Sequence, residues 1–207
     1  MTASSPHKRP WRPAQSAPLS VRGHDLYETP PAATRALLHT GELDRYARSK
    51  IWEPAAGKGA IVRELIAAGF HVVAHDLVSY EGADAGILTP VDFLEQRKAP
   101  ADVSIIVTNP PFRLANAFIR HGLELGLPVI VLMRLQALEG SSRSDLIDHH
   151  LRRVWLGIER LPTMHREGWQ GPRTKNGGAP FGWFCFEPGA RSNSIEIKRV
   201  SWREERP

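Results

Sequence analysis

The chain has 207 residues, 42% of them apolar and 24% charged, which suits one soluble domain with a sizeable core. Its single cysteine, Cys185, excludes an internal disulfide and fits a reducing compartment; no stretch approaches the ~18 apolar residues of a membrane span, and the start lacks a signal-type apolar core. The expected location is therefore cytoplasmic, and a net charge of +5 with a pI near 9.7 favours a polyanionic partner.

Residues 1–22 are rich in Pro, Ser and Arg without hydrophobic periodicity and read as a disordered basic tail, leaving residues 23–207 as a single domain. "TPPAATRALLHTGEL" predicts a helix with Thr29 as its cap, prolines in its first turn and an apolar stripe of Ala33, Leu37 and Leu38; Gly41 ends it. Ile51 and Trp52 open a short strand that runs into the glycine-containing loop of "EPAAGKGAIVRELIAAGF". The helix after that loop should bury Ile61, Val62, Leu65 and Ile66. "HVVAHDL" is a strand ending at Asp76, and a loop of small residues then carries Asp92.

"ADVSIIVTNPPFRLANAFIR" supplies the next strand and the start of the next helix. Val103 to Val107 form a continuous apolar run of buried-strand type, followed by Asn109-Pro110-Pro111-Phe112. "LPVIVLMRL" is another apolar strand, "SRSDLIDHHL" a helix, and "RRVWLGIERL" and "FGWFCFEP" are strands with no helix between them, hence an antiparallel hairpin. "SIEIKRVSW" is an alternating edge segment. Strands alternating with helices predict an α/β fold, a doubly wound, mostly parallel sheet covered on both faces. Residues 162–180, "PTMHREGWQGPRTKNGGAP", are too long and too rich in Gly, Pro and charge for an ordinary connection; such a loop is either functional or disordered.

Several residues carry chemistry. Glu53, then Gly57 and Gly59, then a helix, stand where a doubly wound sheet takes a nucleotide-like ligand, because glycines let the backbone approach it. The loop matches neither the dinucleotide fingerprint nor the phosphate loop, since Lys58 is followed by Gly59 rather than Ser or Thr; the acidic Glu53 disfavours phosphate and suits an amine-bearing ligand. A tight strand-to-helix turn is the plainer alternative. Asp76, at the next strand end, can take ribose hydroxyls or simply form a turn. Asp92 and Phe93 can meet a purine, or Asp92 can cap its loop. The prolines at 110 and 111 cannot donate to a ladder and hold the chain extended, so the tetrapeptide is either a rigid strand exit or a fixed corner with a function. Arg134 ends an apolar strand at the ligand edge, where it lines the site or makes a salt bridge. His149, His150 and His165 lack metal-ligand spacing, and Cys185, Trp155, Trp183, Phe184 and Phe186 are expected in the core.

Together, "WEPAAGKGA", "HDL", "VDFL" and "TNPPF", in this order and spacing, resemble the class I S-adenosylmethionine-dependent methyltransferases. "NPPF" is similar to the corner of the amino-methylating DNA adenine methyltransferases, and "YETPPAATRALL" to the additional cofactor motif that precedes the glycine loop in one permutation class of them. "MRLQALEGSSR" and "APFGWFCFEPG" resemble small phage and prophage members. The resemblance covers Tyr27 to about Gly189. It implies S-adenosyl-L-methionine as cofactor, with Tyr27, Thr29 and Pro30 near its methionine carboxylate and Glu53, Pro54, Ala55, Gly57 and Gly59 at its amino-acid part. Asp76 and Leu77 would meet the ribose, and Asp92 and Phe93 the adenine. Asn109 would also border the cofactor and, with the Pro110 carbonyl, accept from the target's exocyclic amine; Pro111 would stiffen the corner, and Phe112 would stack on the extruded base.

Relatives that read a specific DNA sequence carry a separate recognition domain, for which this chain has no room. The loop 162–180, with Arg166, Trp169, Arg173 and Lys175, and the strand-end Arg134 are the candidates for nucleic-acid contact. The expected activity is methyl transfer to adenine N6 in DNA, by a monomer or homodimer. The alternatives are another planar nitrogen (an RNA base, cytosine N4 or a protein glutamine amide) and a catalytically silent nucleic-acid-binding protein of the same fold.

Overall fold

A computed structural model describes residues 26–161, 179–190 and 194–203. The expected tail, and His165, Arg166, Trp169, Arg173 and Lys175 of the long loop, lie outside the described residues.

Seven strands form one sheet: β1 Lys50–Glu53, β2 His71–Ala74, β3 Val103–Thr108, β4 Val129–Arg134, β5 Leu151–Gly157, β6 Phe181–Phe186 and β7 Glu196–Val200. Their spatial order is β2-β1-β3-β4-β6-β5-β7. The first four are mutually parallel, and β6 runs antiparallel to both β4 and β5. The expected α/β sheet with its antiparallel hairpin is what the chain forms. Beyond that expectation, the edge segment β7 pairs in parallel with β5.

From β1 the chain steps outward to β2, then returns to lay β3 on the other side of β1. Such a reversal opens a crevice at the carboxyl ends of the strands, where ligands of open α/β sheets bind.

Alternation along β4 splits the core between the two faces. Val129, Val131 and Met133 join Trp52, Phe93 and Phe118 on one side, where α3 (Ala115–Glu124) and α4 (Ser144–His150) pack. Ile130 and Leu132 join Ile51, Ile105 and Trp183 on the other, beneath α1 (Pro31–His39) and α2 (Ala60–Ala67). Full burial of such side chains contributes roughly 1.5–3 kcal/mol each, which makes this two-sided sheet the main source of stability. Helix α3 comes close to the sheet because Gly122 has no side chain: a Cβ there would stand 2.6 Å from Val129 Cγ2 and 2.9 Å from Ile106 Cδ1.

Three expectations change in detail. Helix α1 is capped by Pro30 without a side-chain bond, with Pro31 at its first position, so Thr29 is not its cap. In α2, Ile61, Val62 and Leu65 are buried but Ile66 is 56% exposed, because an eight-residue helix has only a narrow face against the sheet. Trp183, Phe184 and Phe186 are core, whereas Trp155 is half-buried and donates its indole N–H to Glu42 Oε2 at 3.0 Å. Cys185 is buried and its pKa is pushed up by that burial, consistent with an inert thiol. No described helix is long and apolar enough to cross a membrane.

Candidate active site

The loop after β1 is shaped by two glycines and tied to the end of β2. The Gly57 N–H donates to Asp76 Oδ2 at 2.8 Å, and the Val78 N–H donates to Asp76 Oδ1 at 2.8 Å. Asp76 is thus both the turn former and the acid held at the strand end. Gly59 has a φ of +94° and admits the Asp84 carboxylate where a Cβ would sit, 2.1 Å away. Asp84 in turn accepts from Arg63 Nη1 at 2.7 Å, which fixes the 83–88 loop against the start of α2. Any side chain at 59 would be strained in conformation and in space.

Behind this loop lies Glu53, fully buried at the end of β1. Its Oε1 accepts from Thr108 Oγ1 at 2.6 Å and from the Ala55 N–H at 3.1 Å, while Oε2 is buried without a hydrogen-bond partner. Burial raises its pKa from 4.5 to about 8 against the pull of the Thr108 and Ala55 bonds, and the charge of Asp76 adds to the rise. Glu53 is therefore mostly protonated at neutral pH unless a cation meets it. Between pH 4.5 and about 8 the folded chain keeps a proton that the unfolded chain has released, so this group's stability contribution is lost as pH rises through that window. Glu53→Gln is expected to flatten that part of the pH dependence. The check is whether the urea midpoint falls less in the variant than in the wild type between about pH 5 and about pH 8.

The corner after β3 gives Asn109 a fixed orientation. Its Nδ2 donates to the Tyr27 carbonyl at 3.2 Å and to Thr29 Oγ1 at 3.0 Å. A carbonyl cannot donate, so the atom facing Tyr27 must be the amide nitrogen, which turns Oδ1 the other way. Thr29, displaced from the expected capping role, instead holds this amide. Pro110 and Pro111 follow with fixed φ and no N–H. The Phe112 ring lies 5.2 Å from the Tyr27 ring at 42°, and the Arg134 guanidinium carbon stands 5.0 Å from its centroid. Among the described residues Arg134 makes this ring contact and no salt bridge, the other reading it carried.

Asp92 accepts from the Leu94 N–H at 2.9 Å and caps the short turn Phe93–Glu95. Phe93 is 2% exposed, its ring edge-on to Trp52 at 5.1 Å and tilted on Phe118 at 4.7 Å. Most of that ring is committed to the core. The Trp52 indole N–H donates to His75 Nδ1 at 3.3 Å, and burial holds the His75 pKa down, so the imidazole is neutral.

These segments enclose a cavity of about 430 Å³ at the carboxyl ends of β1, β2 and β3. Of the residues expected at a cofactor, Tyr27, Thr29, Pro54, Ala55, Gly57, Asp76, Leu77, Asp92, Phe93 and Asn109 line it; Pro30, Glu53 and Gly59 do not. Of the corner, Pro111 also lines it, while Pro110 and Phe112 do not, nor does Arg134. Sequence reasoning missed Leu26, Glu28, Tyr80, Arg113 and Leu114, which line the cavity too. All of them stand next to motifs already recognised, so extending each motif by a few residues past its strand end would have found most of them.

No protein-family model matches the sequence, and no curated protein matches it. In fold, the chain is similar to the "putative RNA methyltransferase" of Pyrococcus horikoshii, with a TM-score of 0.56 and 15% identity over 79% of this chain and 87% of that one. It is similar to a modification subunit of a "putative type I restriction enzyme" from Vibrio vulnificus YJ016, with a TM-score of 0.57 and 13% identity over 91% of this chain, which spans 50% of that subunit. It is also similar to the tRNA (m1A58) methyltransferase of Aquifex aeolicus, with a TM-score of 0.50 and 14% identity over 80% of this chain and 71% of that one. The fold is thus the Rossmann-like one of class I methyltransferases.

Proposed function

We propose that the chain transfers a methyl group from S-adenosyl-L-methionine to the exocyclic amino group of adenine in DNA. The observation that carries this reading is a single cavity bounded by two acids, Asp76 at the end of β2 and Asp92 in the loop that follows, and by the oriented Asn109 amide at a doubly proline-stiffened corner.

The residues present fit such a cofactor. The cavity volume of about 430 Å³ lies within the range of ligand sites. Gly57 brings the loop backbone to the cavity wall, and the buried Oε2 of Glu53 behind that loop has no partner, an acceptor that an ammonium reaching it would satisfy. Tyr27, Thr29 and Pro30 would lie toward the carboxylate end, with Glu53, Pro54, Ala55, Gly57 and Gly59 around the amino-acid part. Asp76 and Leu77 would serve the ribose, and Asp92 and Phe93 the adenine. When bound, the cofactor supplies a methyl group activated on a sulfonium.

The chain's own part is to prepare the nucleophile. An aromatic amine shares its lone pair with the ring and attacks poorly. Asn109 Oδ1 and the Pro110 carbonyl would accept its two N–H bonds, drawing the nitrogen toward tetrahedral geometry and freeing the lone pair. Methyl transfer to that lone pair would leave the amine with a surplus proton, which it would give up to water. Because the prolines and the Thr29 and Tyr27 contacts hold the acceptors in advance, little reorganisation is left for the step itself. Phe112 would offset part of the cost of extruding the base.

The test is transfer of labelled methyl to unmethylated duplex DNA, single-stranded DNA and RNA, followed by nucleoside mass analysis. N6-methyladenine from DNA is the expected product. Label in RNA, in cytosine or in protein glutamine would move the target to another planar nitrogen, and cofactor binding without any transfer would leave a silent binding protein. Thr29 offers a finer check. Thr29→Val removes one of the two acceptors that hold the Asn109 amide and should lower kcat about tenfold, whereas Thr29→Ser should restore most of it.

A further inference from the structure

Two arginines stand at or next to Phe112, Arg134 over its ring and Arg113 after it in the chain, and neither is neutralised within the described chain. Arg134 is exposed at the end of β4, directly after the buried run Val129–Met133, with its guanidinium carbon 5.0 Å from the Phe112 centroid. Arg113, the residue after Phe112, is exposed and lines the cavity mouth. Among the described residues, neither makes an ion pair with a carboxylate. By contrast, Arg35, Arg63, Arg120, Arg152 and Arg153 each hold one. An arginine left on a ring face beside a cavity, with its fork of donors unspent, is suited to a planar or tetrahedral oxyanion.

We infer that Arg113 and Arg134 form a clamp for the backbone phosphates of the nucleic-acid strand whose base enters beside Phe112. This inference rests on the proposed function and adds what holds the strand at the mouth of the site. Arg134 has a second part in it. Its guanidinium occupies the ring in the free protein, and exchange of that ring contact for a phosphate would clear the ring for the incoming base. Strand binding and base entry are thereby coupled through one side chain.

The experiment is a salt titration of DNA binding, read by fluorescence anisotropy of a labelled duplex in the absence of cofactor. The proteins compared are the wild type, Arg113→Gln, Arg134→Gln, the double variant and Arg199→Gln. Arg199 is exposed on β7, separated from β4 by β6 and β5, and serves as the control. Each clamp substitution should reduce the slope of log Kobs against log salt by about 0.9, and the pair by about 1.8. Arg134→Lys should keep the slope, because it keeps the charge. All these side chains are exposed, so the variants test binding rather than folding. If the wild type binds DNA and the double variant keeps its slope, the clamp is wrong and the functional reading stands. An equal loss in Arg199→Gln would reduce the clamp to general basicity and overturn it. If the wild type binds no nucleic acid at any salt concentration, both the clamp and the functional reading fall.

Discussion

Asn109→Ala should lower the rate of methyl transfer by about 100- to 1,000-fold, the usual cost of deleting one preorganised polar group at a reacting centre. The variant should still fold, because the corner is shaped by Pro110 and Pro111 and by the pairing of β3 with β4 up to Thr108 and Val131, none of which uses this amide. It should also still bind cofactor, since much of the cavity wall comes from the loops after β1 and β2 and from the loop at Asp92, none of which this amide holds. A fall in kcat with cofactor affinity changed only a few-fold is therefore the expected signature. Asn109→Asp makes the more informative companion. It keeps the shape and an acceptor, but it places a carboxylate against the Tyr27 carbonyl that now accepts a hydrogen bond. Two acceptors facing each other would push the side chain out of position, so the isosteric change should cost nearly as much as truncation. Full activity in Asn109→Asp would mean that the orienting contacts of Tyr27 and Thr29 are irrelevant to the chemistry.

The strands and their order of chemistry were legible because both leave local marks. Continuous apolar runs such as Val103 to Val107 mark buried parallel strands, and strand-end Glu, Asp and Asn residues mark the crevice side of the sheet. What escaped the sequence depends on contacts across long separations. Thr29 followed by prolines has the local pattern of a helix cap, and only the approach of Asn109, eighty residues on, turns its hydroxyl elsewhere. Arg134 could be placed at the ligand edge, but whether it met a carboxylate or a ring was decided by Phe112 arriving from another strand end. Ile66 fits the apolar periodicity of α2, yet nothing in that periodicity says how wide a strip of sheet the helix will cover. Trp155 was expected in the core from its type alone. Its indole is held at the boundary by Glu42, and no local pattern announces a carboxylate 113 positions earlier.

That carboxylate carries the largest expected effect on stability. Glu42 lies just past α1, with its side chain 3% exposed, and meets Arg152, Arg153 Nη1 at 2.6 Å and Trp155 Nε1 at 3.0 Å. It pins the connection between α1 and β1 onto β5, at the far side of the sheet from the cavity. Glu42→Ala should cost about 3 kcal/mol, the lower end for removing one partner of a buried pair. The lower end applies because the arginines keep other carboxylates: Arg152 Nε lies 2.9 Å from Glu187 and Arg153 Nη2 lies 2.5 Å from Glu196. The exposed pair Arg120–Asp145 is the contrast, and Asp145→Ala should leave stability within experimental error. The sign of the pH effect distinguishes Glu42 from Glu53. Burial alone would raise the Glu42 pKa, but the Trp155 and Arg153 hydrogen bonds and the charges of Arg152 and Arg153 bring it below 4.5. Its contribution is therefore present above that value and lost as pH falls through the folded pKa, so Glu42→Ala should flatten the acid limb of the stability profile. Urea unfolding of the wild type and both variants across the acid range reads this directly, and an unchanged acid limb in Glu42→Ala would show that the Glu42 pairs do not hold the charged form.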